Sequence, residues 1–132
     1  MINVVLDTNA VLFPFQFKVS LEDEIRQLVG GCTIFVPEIV REELEGLRKR
    51  GIREAGAGLR YAERFETFSG ATSIHDGGDE EIIGGRGDAG VLEASMKLEA
   101  ILVTSDRGLI ARAKEQGLKV IFLRGKQKLV LK

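Results

Sequence analysis

Apolar segments of strand length alternate with segments of helical periodicity along the whole chain. The first, Ile2–Leu6, is a continuous apolar run, and similar runs occupy residues 33–36, 100–103 and 119–123. Continuous hydrophobicity is typical of parallel strands that are covered on both faces, whereas half-exposed strands alternate. These runs therefore predict strands of one parallel sheet.

Between these runs, apolar residues recur at the three- and four-residue spacing of helices. Ser20 precedes an acidic first turn and an apolar stripe that ends at Gly30, which predicts a helix over residues 21–29. Pro37 opens a second helix, and a longer helical stretch follows Gly51. Further helices are predicted over residues 88–99 and 107–116. Strands that alternate with helices indicate an α/β fold with helices on both faces of a parallel sheet.

Three further segments complete the expected organisation. Residues 71–74 are predicted as a short third strand, and glycine and acidic residues make 75–87 a predicted loop. Residues 124–132 carry four cations and no acid, which predicts a short basic tail. The chain has 132 residues and no interdomain linker, so we expect residues 1–132 to form a single domain.

Composition narrows the class of protein without identifying a ligand. Hydrophobic residues at 44% and charged residues at 30% are ordinary for a soluble globular protein, and no apolar stretch is long enough to span a membrane. The single cysteine, Cys32, excludes an internal disulfide and suits a reducing compartment. The start of the chain lacks the pattern of a signal peptide. We therefore expect a cytoplasmic protein with no membrane segment.

Two acidic residues directly follow predicted strands. Asp7 ends the first apolar run, and Asp106 follows the fourth strand. The carboxyl ends of parallel strands meet at one edge of a sheet, where ligands of open α/β sheets bind. The two carboxylates are therefore expected to be close if the first and fourth strands are neighbours.

Two more acids come from predicted helices. Glu43 falls on the apolar face with Val40 and Leu44, whereas Glu42 falls on the solvated side, and Asp88 begins the inward stripe of its helix. Four ionised carboxylates cannot share a small site unless cations neutralise them. Oxygen ligands without His or Cys favour magnesium or manganese over zinc.

Structural explanations compete with this interpretation for three of the acids taken alone, but not for Glu43. Asp88 and Asp106 could simply cap the helices that follow them, and Asp7 could order the turn after its strand. Residues 85–90 also spell the dinucleotide-binding pattern G-x-G-x-x-G. A nucleotide site is disfavoured there because the preceding apolar run is short and Asp88 would repel a pyrophosphate.

Four motifs, in this order and spacing, resemble the PIN-domain nucleases over nearly the whole chain: "VVLDTNAV", "VPEIVREEL", "GDAGVLEA" and "VTSDRGL". The resemblance implies a three-layer α/β/α sandwich of strand order 3-2-1-4-5 and metal-dependent RNA cleavage. It assigns catalysis to four acids: Asp7, Glu43, Asp88 and Asp106. Asp7, Asp88 and Asp106 would ligate one or two Mg²⁺ or Mn²⁺ ions, and Asn9 and Thr104 would orient carboxylates or water.

Basic residues near these motifs are candidates for holding RNA phosphates without reading sequence. They are Arg48, Lys49, Arg50, Arg53, Arg86 and Arg107. The first four could equally be a solvated helix surface. The resemblance leaves three roles open: a VapC-type toxin with an antitoxin partner, which we expect first, a nuclease that processes ribosomal RNA, or a catalytically silent PIN-like RNA-binding or scaffold module. It also suggests a homodimer.

Overall fold

The structure is a computed structural model that describes residues 1–69 and 85–132, with the side chains of residues 85 and 86 left out. The predicted strand over residues 71–74 and most of the predicted loop over 75–87 lie outside the described residues. The described strands are β1 (Ile2–Leu6), β2 (Cys32–Pro37), β3 (Glu66–Phe68), β4 (Ile101–Val103), β5 (Val120–Arg124) and β6 (Lys128–Leu131). The described helices are α1 (Thr8–Gln16), α2 (Leu21–Val29), α3 (Glu38–Lys49), α4 (Arg53–Ala62), α5 (Gly85–Lys97) and α6 (Arg107–Glu115).

The sheet has the order β3-β2-β1-β4-β5-β6. The first five strands are parallel, and in the centre Val4 of β1 pairs with Ile34 of β2 on one side and Ile101 of β4 on the other. The predicted three-layer α/β/α fold is confirmed, and the predicted order 3-2-1-4-5 is extended by one strand. The adjacency of β1 and β4 brings the ends of both strands to the same edge of the sheet.

A strand that the sequence analysis did not predict precedes the undescribed residues. β3 spans Glu66–Phe68. Its register is set by pairing with β2, where Phe35 faces Glu66 and Val36 faces Thr67. Glu66 and Thr67 are exposed, as residues of an edge strand often are. The strand therefore lacks the apolar run by which the interior strands were recognised.

The last strand lies where a basic tail was predicted. β6 pairs antiparallel with β5, with Leu129 opposite Leu123. Leu129 is buried, and its backbone N–H donates to Glu24 Oε1 of α2 at 3.0 Å. Gly125 and Lys126 both have positive φ in the turn that reverses the chain. The pairing extends over Lys128–Leu131, so the description of 124–132 as a tail is corrected here.

Helix α1 is a helix that the sequence analysis did not predict. It has nine residues and contains Pro14, which removes a hydrogen-bond donor and weakens the helical pattern. Its apolar residues 10–13 are buried in the core. It packs closely on α4, since a Cβ added to Gly58 would lie 3.1 Å from Leu12 and 3.4 Å from Val11. No helix within the described ranges is long and apolar enough to cross a membrane.

Candidate functional site

Asp7 is held at the carboxyl end of β1. It is the N-cap of α1, and its Oδ1 accepts a hydrogen bond from Ala10 N at 2.7 Å. Its own backbone N–H donates to Val103 O of β4 at 3.2 Å, which ties it to the neighbouring strand. The residue is 6% exposed, so its carboxylate is buried between the ends of β1 and β4.

Thr104 connects the acids that follow the two central strands. It is fully buried directly after β4, and its hydroxyl accepts a hydrogen bond from Asp106 N at 3.1 Å. The same hydroxyl donates to the Asp7 carboxylate. Asp106 is the N-cap of α6 and accepts from Leu109 N at 2.9 Å. The alternative that Asp106 caps its helix is therefore correct.

Asp88 lies in the first turn of α5 and is half-buried. The helix begins at Gly85, three residues earlier than predicted, so Asp88 is not the N-cap. Burial is the main cause that raises the pKa of Asp88, and the charges of Asp106 and Glu43 add to it. Arg112 of α6 acts in the opposite direction. Its influence on Asp88 identifies a cation at this site that the sequence analysis did not name.

The buried carboxylate of Asp7 binds a proton more tightly than an ordinary aspartate does. The pKa of Asp7 is raised from 3.8 to about 7, mainly because burial removes the charged form from water. The hydrogen bonds from Thr104 and Ala10 lower it, and the nearby charges of Asp88 and Asp106 raise it further. Three carboxylates thus lie close enough for their charges to oppose one another.

Glu43 projects from α3 towards the same edge. Its Oε1 accepts a hydrogen bond from the Thr8 hydroxyl at 2.6 Å. The residue is exposed, so its position on the apolar face of α3 did not lead to burial. A cleft of about 320 Å³ lies beside it, lined by Glu43, Glu42, Ile39 and Gly87. Glu42, predicted as ordinary surface, therefore also faces this cleft.

Two glycines of α5 allow that helix to lie against α3. A Cβ on Gly87 would be 2.8 Å from Glu43 Oε1, and a Cβ on Gly90 would be 3.1 Å from Ile39 Cγ2. Residues 85–90 are helical throughout, so the G-x-G-x-x-G pattern is not a phosphate-binding loop here. In this chain two of its glycines instead permit the contact that brings Glu43 near Asp88.

The predicted supporting and RNA-binding residues are spread more widely. Asn9 is exposed in the first turn of α1, and Arg107 is exposed directly beside Asp106. Arg48 forms an ion pair with Glu45, and it lies five residues beyond Glu43, about 8 Å along the axis of α3. The other cations of that group are exposed after it: Lys49, Arg50 and Arg53. Arg86 is in α5, but its side chain lies outside the description.

Metal ligation was predicted for Asp7, Asp88 and Asp106. Within residues 1–69 and 85–132, no three His, Cys, Asp or Glu side chains are placed so that they could hold one ion. The carboxylates of Asp7 and Asp106 each accept from a backbone N–H as helix caps. The acidic side chains at this edge offer only oxygen donors, which is the chemistry that Mg²⁺ and Mn²⁺ prefer.

Two residues of the site were missed at the sequence level. Thr8 stands inside the motif that contains Asp7, and its small polar side chain between two polar neighbours was an available signal. Arg112 had no such signal, because it is six residues from Asp106 along α6 and half-buried among apolar positions. Its approach to Asp88 depends on how α5 and α6 pack.

Comparison with known proteins identifies the family of this chain. Residues 4–126 match the family model described as PIN like domain. Since the match spans most of the chain, the protein belongs to the PIN-like domain family, and the resemblance carried by its motifs is confirmed.

Individual relatives agree with this assignment. Ribonuclease VapC9 from Archaeoglobus fulgidus is 27% identical over 124 residues, covering 91% of this chain and 82% of that protein. The solved PIN domain endonuclease Utp24 superposes with a TM-score of 0.74 and 26% identity, covering 98% of this chain and 90% of the other. VapBC2 from Rickettsia felis, solved bound to a DNA fragment from its promoter, has a TM-score of 0.65 at 17% identity and covers 93% of this chain and 100% of the other. This last similarity supports the fold alone.

Proposed function

We propose that this protein is a divalent metal-dependent endoribonuclease that acts at Asp7, Glu43, Asp88 and Asp106. One observation carries the proposal: acidic side chains from the ends of β1 and β4 and from helices α3 and α5 face one edge of the sheet. Gathering like charges costs free energy, and a fold keeps such an arrangement where a cation or a reaction uses it.

Asp7, Asp88 and Asp106 would supply the carboxylate oxygens for one or two Mg²⁺ or Mn²⁺ ions, and to share an ion their side chains would have to draw closer together than they lie in the structure. Their donor chemistry fits these hard cations, and their mutual repulsion would be relieved by a bound positive charge. When bound, the ion would lower the pKa of a water molecule and offset negative charge on the phosphoryl group.

The chain itself would position the reacting groups. Thr104 orients the Asp7 carboxylate and holds the backbone of Asp106. Thr8 holds one oxygen of Glu43, whose other oxygen can orient a water molecule or accept its proton. Arg107 beside Asp106 would attract phosphate groups of the substrate. The hydrolysis of a phosphodiester bond needs these elements: a water molecule, a base and compensating positive charge.

The relatives bear on two of the possible biological roles. Similarity to Ribonuclease VapC9 supports a toxin-type ribonuclease that is neutralised by a small antitoxin protein in the cytoplasm. Similarity to the PIN domain endonuclease Utp24 supports endonuclease activity, and a nuclease that processes ribosomal RNA stays the alternative. A short antitoxin gene directly upstream would favour the first role. The homodimer and the silent scaffold module stay predictions.

Cleavage of RNA in the presence of Mn²⁺ tests the proposal. Structured and unstructured RNAs are incubated with the wild type, with Asp7→Asn and with Asp23→Asn, which removes an exposed acid of α2. We expect Asp7→Asn to lose more than about 100-fold in rate, since even the partners of metal ligands are worth 10–100-fold. Asp23→Asn should cleave as the wild type does. Cleavage that survives Asp7→Asn, or a wild type without metal-dependent activity, would refute the assignment.

A further inference from the structure

A groove of about 660 Å³ lies between α6 on one side and β5 with Lys132, the residue after β6, on the other. It begins beside the candidate site, because it is lined by Ser105 and Arg107, the two neighbours of Asp106. The hydroxyl of Ser105 accepts a hydrogen bond from Leu123 N of β5 at 3.2 Å, which fixes this end of the groove to the sheet. One end of the groove is thus formed by the residues that flank Asp106 in the chain.

The α6 wall of the groove is apolar in the middle and cationic at both ends. Arg107, Ile110, Ala111 and Lys114 line it, at the spacing of one helical face. The two cations are seven residues apart, about 10 Å along the helix axis. Both are exposed, so an extended polyanion could contact them in succession.

The opposite wall adds an aromatic ring and more positive charge. Phe122 and Arg124 are two residues apart on β5 and therefore share one face of the sheet. Arg124 pairs with Lys128 of β6, and like charges directly opposite each other on neighbouring strands are unfavourable. Lys132 also lines the groove, and its backbone O accepts from Lys114 Nζ at 3.2 Å.

The charged side chains that line the groove are positive. Arginine and lysine from both walls contribute to it, and none of its described side chains is acidic. An anion in the groove would offset the repulsion between Arg124 and Lys128. Single-stranded nucleic acid suits such a surface, because phosphates bind to cations and bases stack on aromatic rings without sequence preference.

We propose that this groove binds the single-stranded segment of RNA next to the cleaved bond, with phosphates at Arg107, Lys114 and Arg124 and a base against Phe122. The inference rests on the proposed ribonuclease function, because that function places the scissile phosphate beside Asp106. The groove also gives the bound RNA a direction: the RNA leaves the carboxylates along α6 towards Lys132, on a surface separate from the Arg48–Arg53 cluster.

The salt dependence of binding tests the groove. A fluorescent single-stranded RNA of about 12 nucleotides is titrated without divalent metal into the wild type and into the double variant Lys114→Gln/Arg124→Gln. Each lost phosphate contact lowers the slope of log K against log salt by about 0.7, so the double variant should lose about 1.4. If both proteins bind equally at 1 M salt, this corresponds to about 25-fold weaker binding at 0.1 M.

A matched control removes two exposed lysines away from the groove, Lys18→Gln/Lys119→Gln. It makes the same change in net charge. Its slope should differ from that of the wild type by no more than about one quarter of the change expected for one phosphate contact, since neither lysine lines the groove. Equal slopes for the groove variant and the control would overturn the proposal. Tighter binding of a polyglutamate peptide than of RNA would also overturn it, since that preference indicates an acidic protein partner.

The two proposals fail in different ways. A wild type that does not cleave RNA with Mn²⁺, but binds RNA through Lys114 and Arg124, would refute the nuclease and leave the groove as an RNA-binding surface. A wild type that cleaves RNA, with a slope insensitive to these residues, would keep the nuclease and refute the groove.

Discussion

At the scale of single residues, two threonine hydroxyls position acidic residues of the candidate site. Thr104 donates to the Asp7 carboxylate and accepts from the backbone N–H of Asp106, and Thr8 donates to Glu43. A hydrogen bond to a charged group contributes about 1.5–3 kcal/mol, which is enough to select one orientation of a carboxylate. The threonines therefore determine where the charge of the site is placed.

Replacing Thr8 by valine should impair the reaction more than the fold. Thr8→Val keeps the shape of the side chain and removes the 2.6 Å bond to Glu43. We expect kcat for RNA cleavage to fall about 10- to 100-fold, following the loss of one charge-assisted bond. Thr8→Ser retains the hydroxyl and should recover most of the rate. Equal losses in both variants would show that the hydroxyl does not position Glu43.

The titration of Asp7 should appear as a pH dependence of stability in the absence of metal. Its folded pKa of about 7 lies above the unfolded value of 3.8, so the folded state retains the proton more tightly. The stabilisation that the folded state gains from binding this proton more tightly is therefore fully present below pH 4 and is lost as the pH rises to about 7. A shift of this size corresponds to at most about 4 kcal/mol.

Asp7→Asn provides the reference for that measurement, because asparagine does not titrate and can still accept from Ala10 N. Denaturant unfolding of both proteins with a chelator, at several pH values between 4 and 8, should show the variant gaining on the wild type as the pH rises. A constant difference in the free energy of unfolding across this range would contradict the raised pKa.

At the scale of elements, the close contact of α5 with α3 joins the parts of the site that come from helices. Gly87 and Gly90 are one turn apart on α5, and Glu43 and Ile39 are one turn apart on α3. Because Gly87 and Gly90 have no side chains, α5 lies close to α3 and Glu43 can approach Asp88. Helix propensity alone would favour alanine at these positions.

Gly87→Ala should therefore displace Glu43. The new Cβ would lie 2.8 Å from Glu43 Oε1, and this flexible carboxylate is the group that must move. We expect about 10-fold or greater loss of cleavage with little loss of thermal stability. Gly46→Ala in α3 is the control: its Cβ meets nothing within 4 Å, so it should raise stability by about 0.5–1 kcal/mol and keep activity. Full activity of Gly87→Ala would show that the position of Glu43 is unimportant.

At the scale of the whole molecule, the candidate site exists only because distant parts of the chain fold together. Asp7 and Asp106 are joined through adjacent central strands, and Asp88 meets them from a helix. Their repulsion opposes folding, so a ligand that neutralises it should stabilise the entire domain by mass action.

Mn²⁺ should accordingly raise the melting temperature of the wild type. At 100 times its Kd an ion adds about 2.7 kcal/mol, or roughly 10 °C for a chain of this size. Asp7→Asn should lose most of this shift, and Asp23→Asn should retain it. A scan of Tm against Mn²⁺ concentration measures both. Equal shifts in all three proteins would place the ion elsewhere on the molecule.

The sequence alone determined the alternation of strands and helices and the position of two acids at the end of strands. The interior strands β1, β2, β4 and β5 were predictable because burial on both faces requires continuous apolar runs, a local property of the chain. Parallel geometry then placed Asp7 and Asp106 at one edge, provided that β1 and β4 were neighbours. Helical phase added Glu43 and Asp88 as candidates.

The tertiary structure decided what depends on partners far along the chain. The edge strands β3 and β6 are held by pairing with β2 and β5, so their own residues carry little signal. The direction of Glu43 follows from Thr8, and the approach of Arg112 to Asp88 follows from helix packing. The physical reason is the same in each case: hydrophobic burial leaves a periodic trace in the sequence, whereas hydrogen bonds and charge contacts between separate elements leave none.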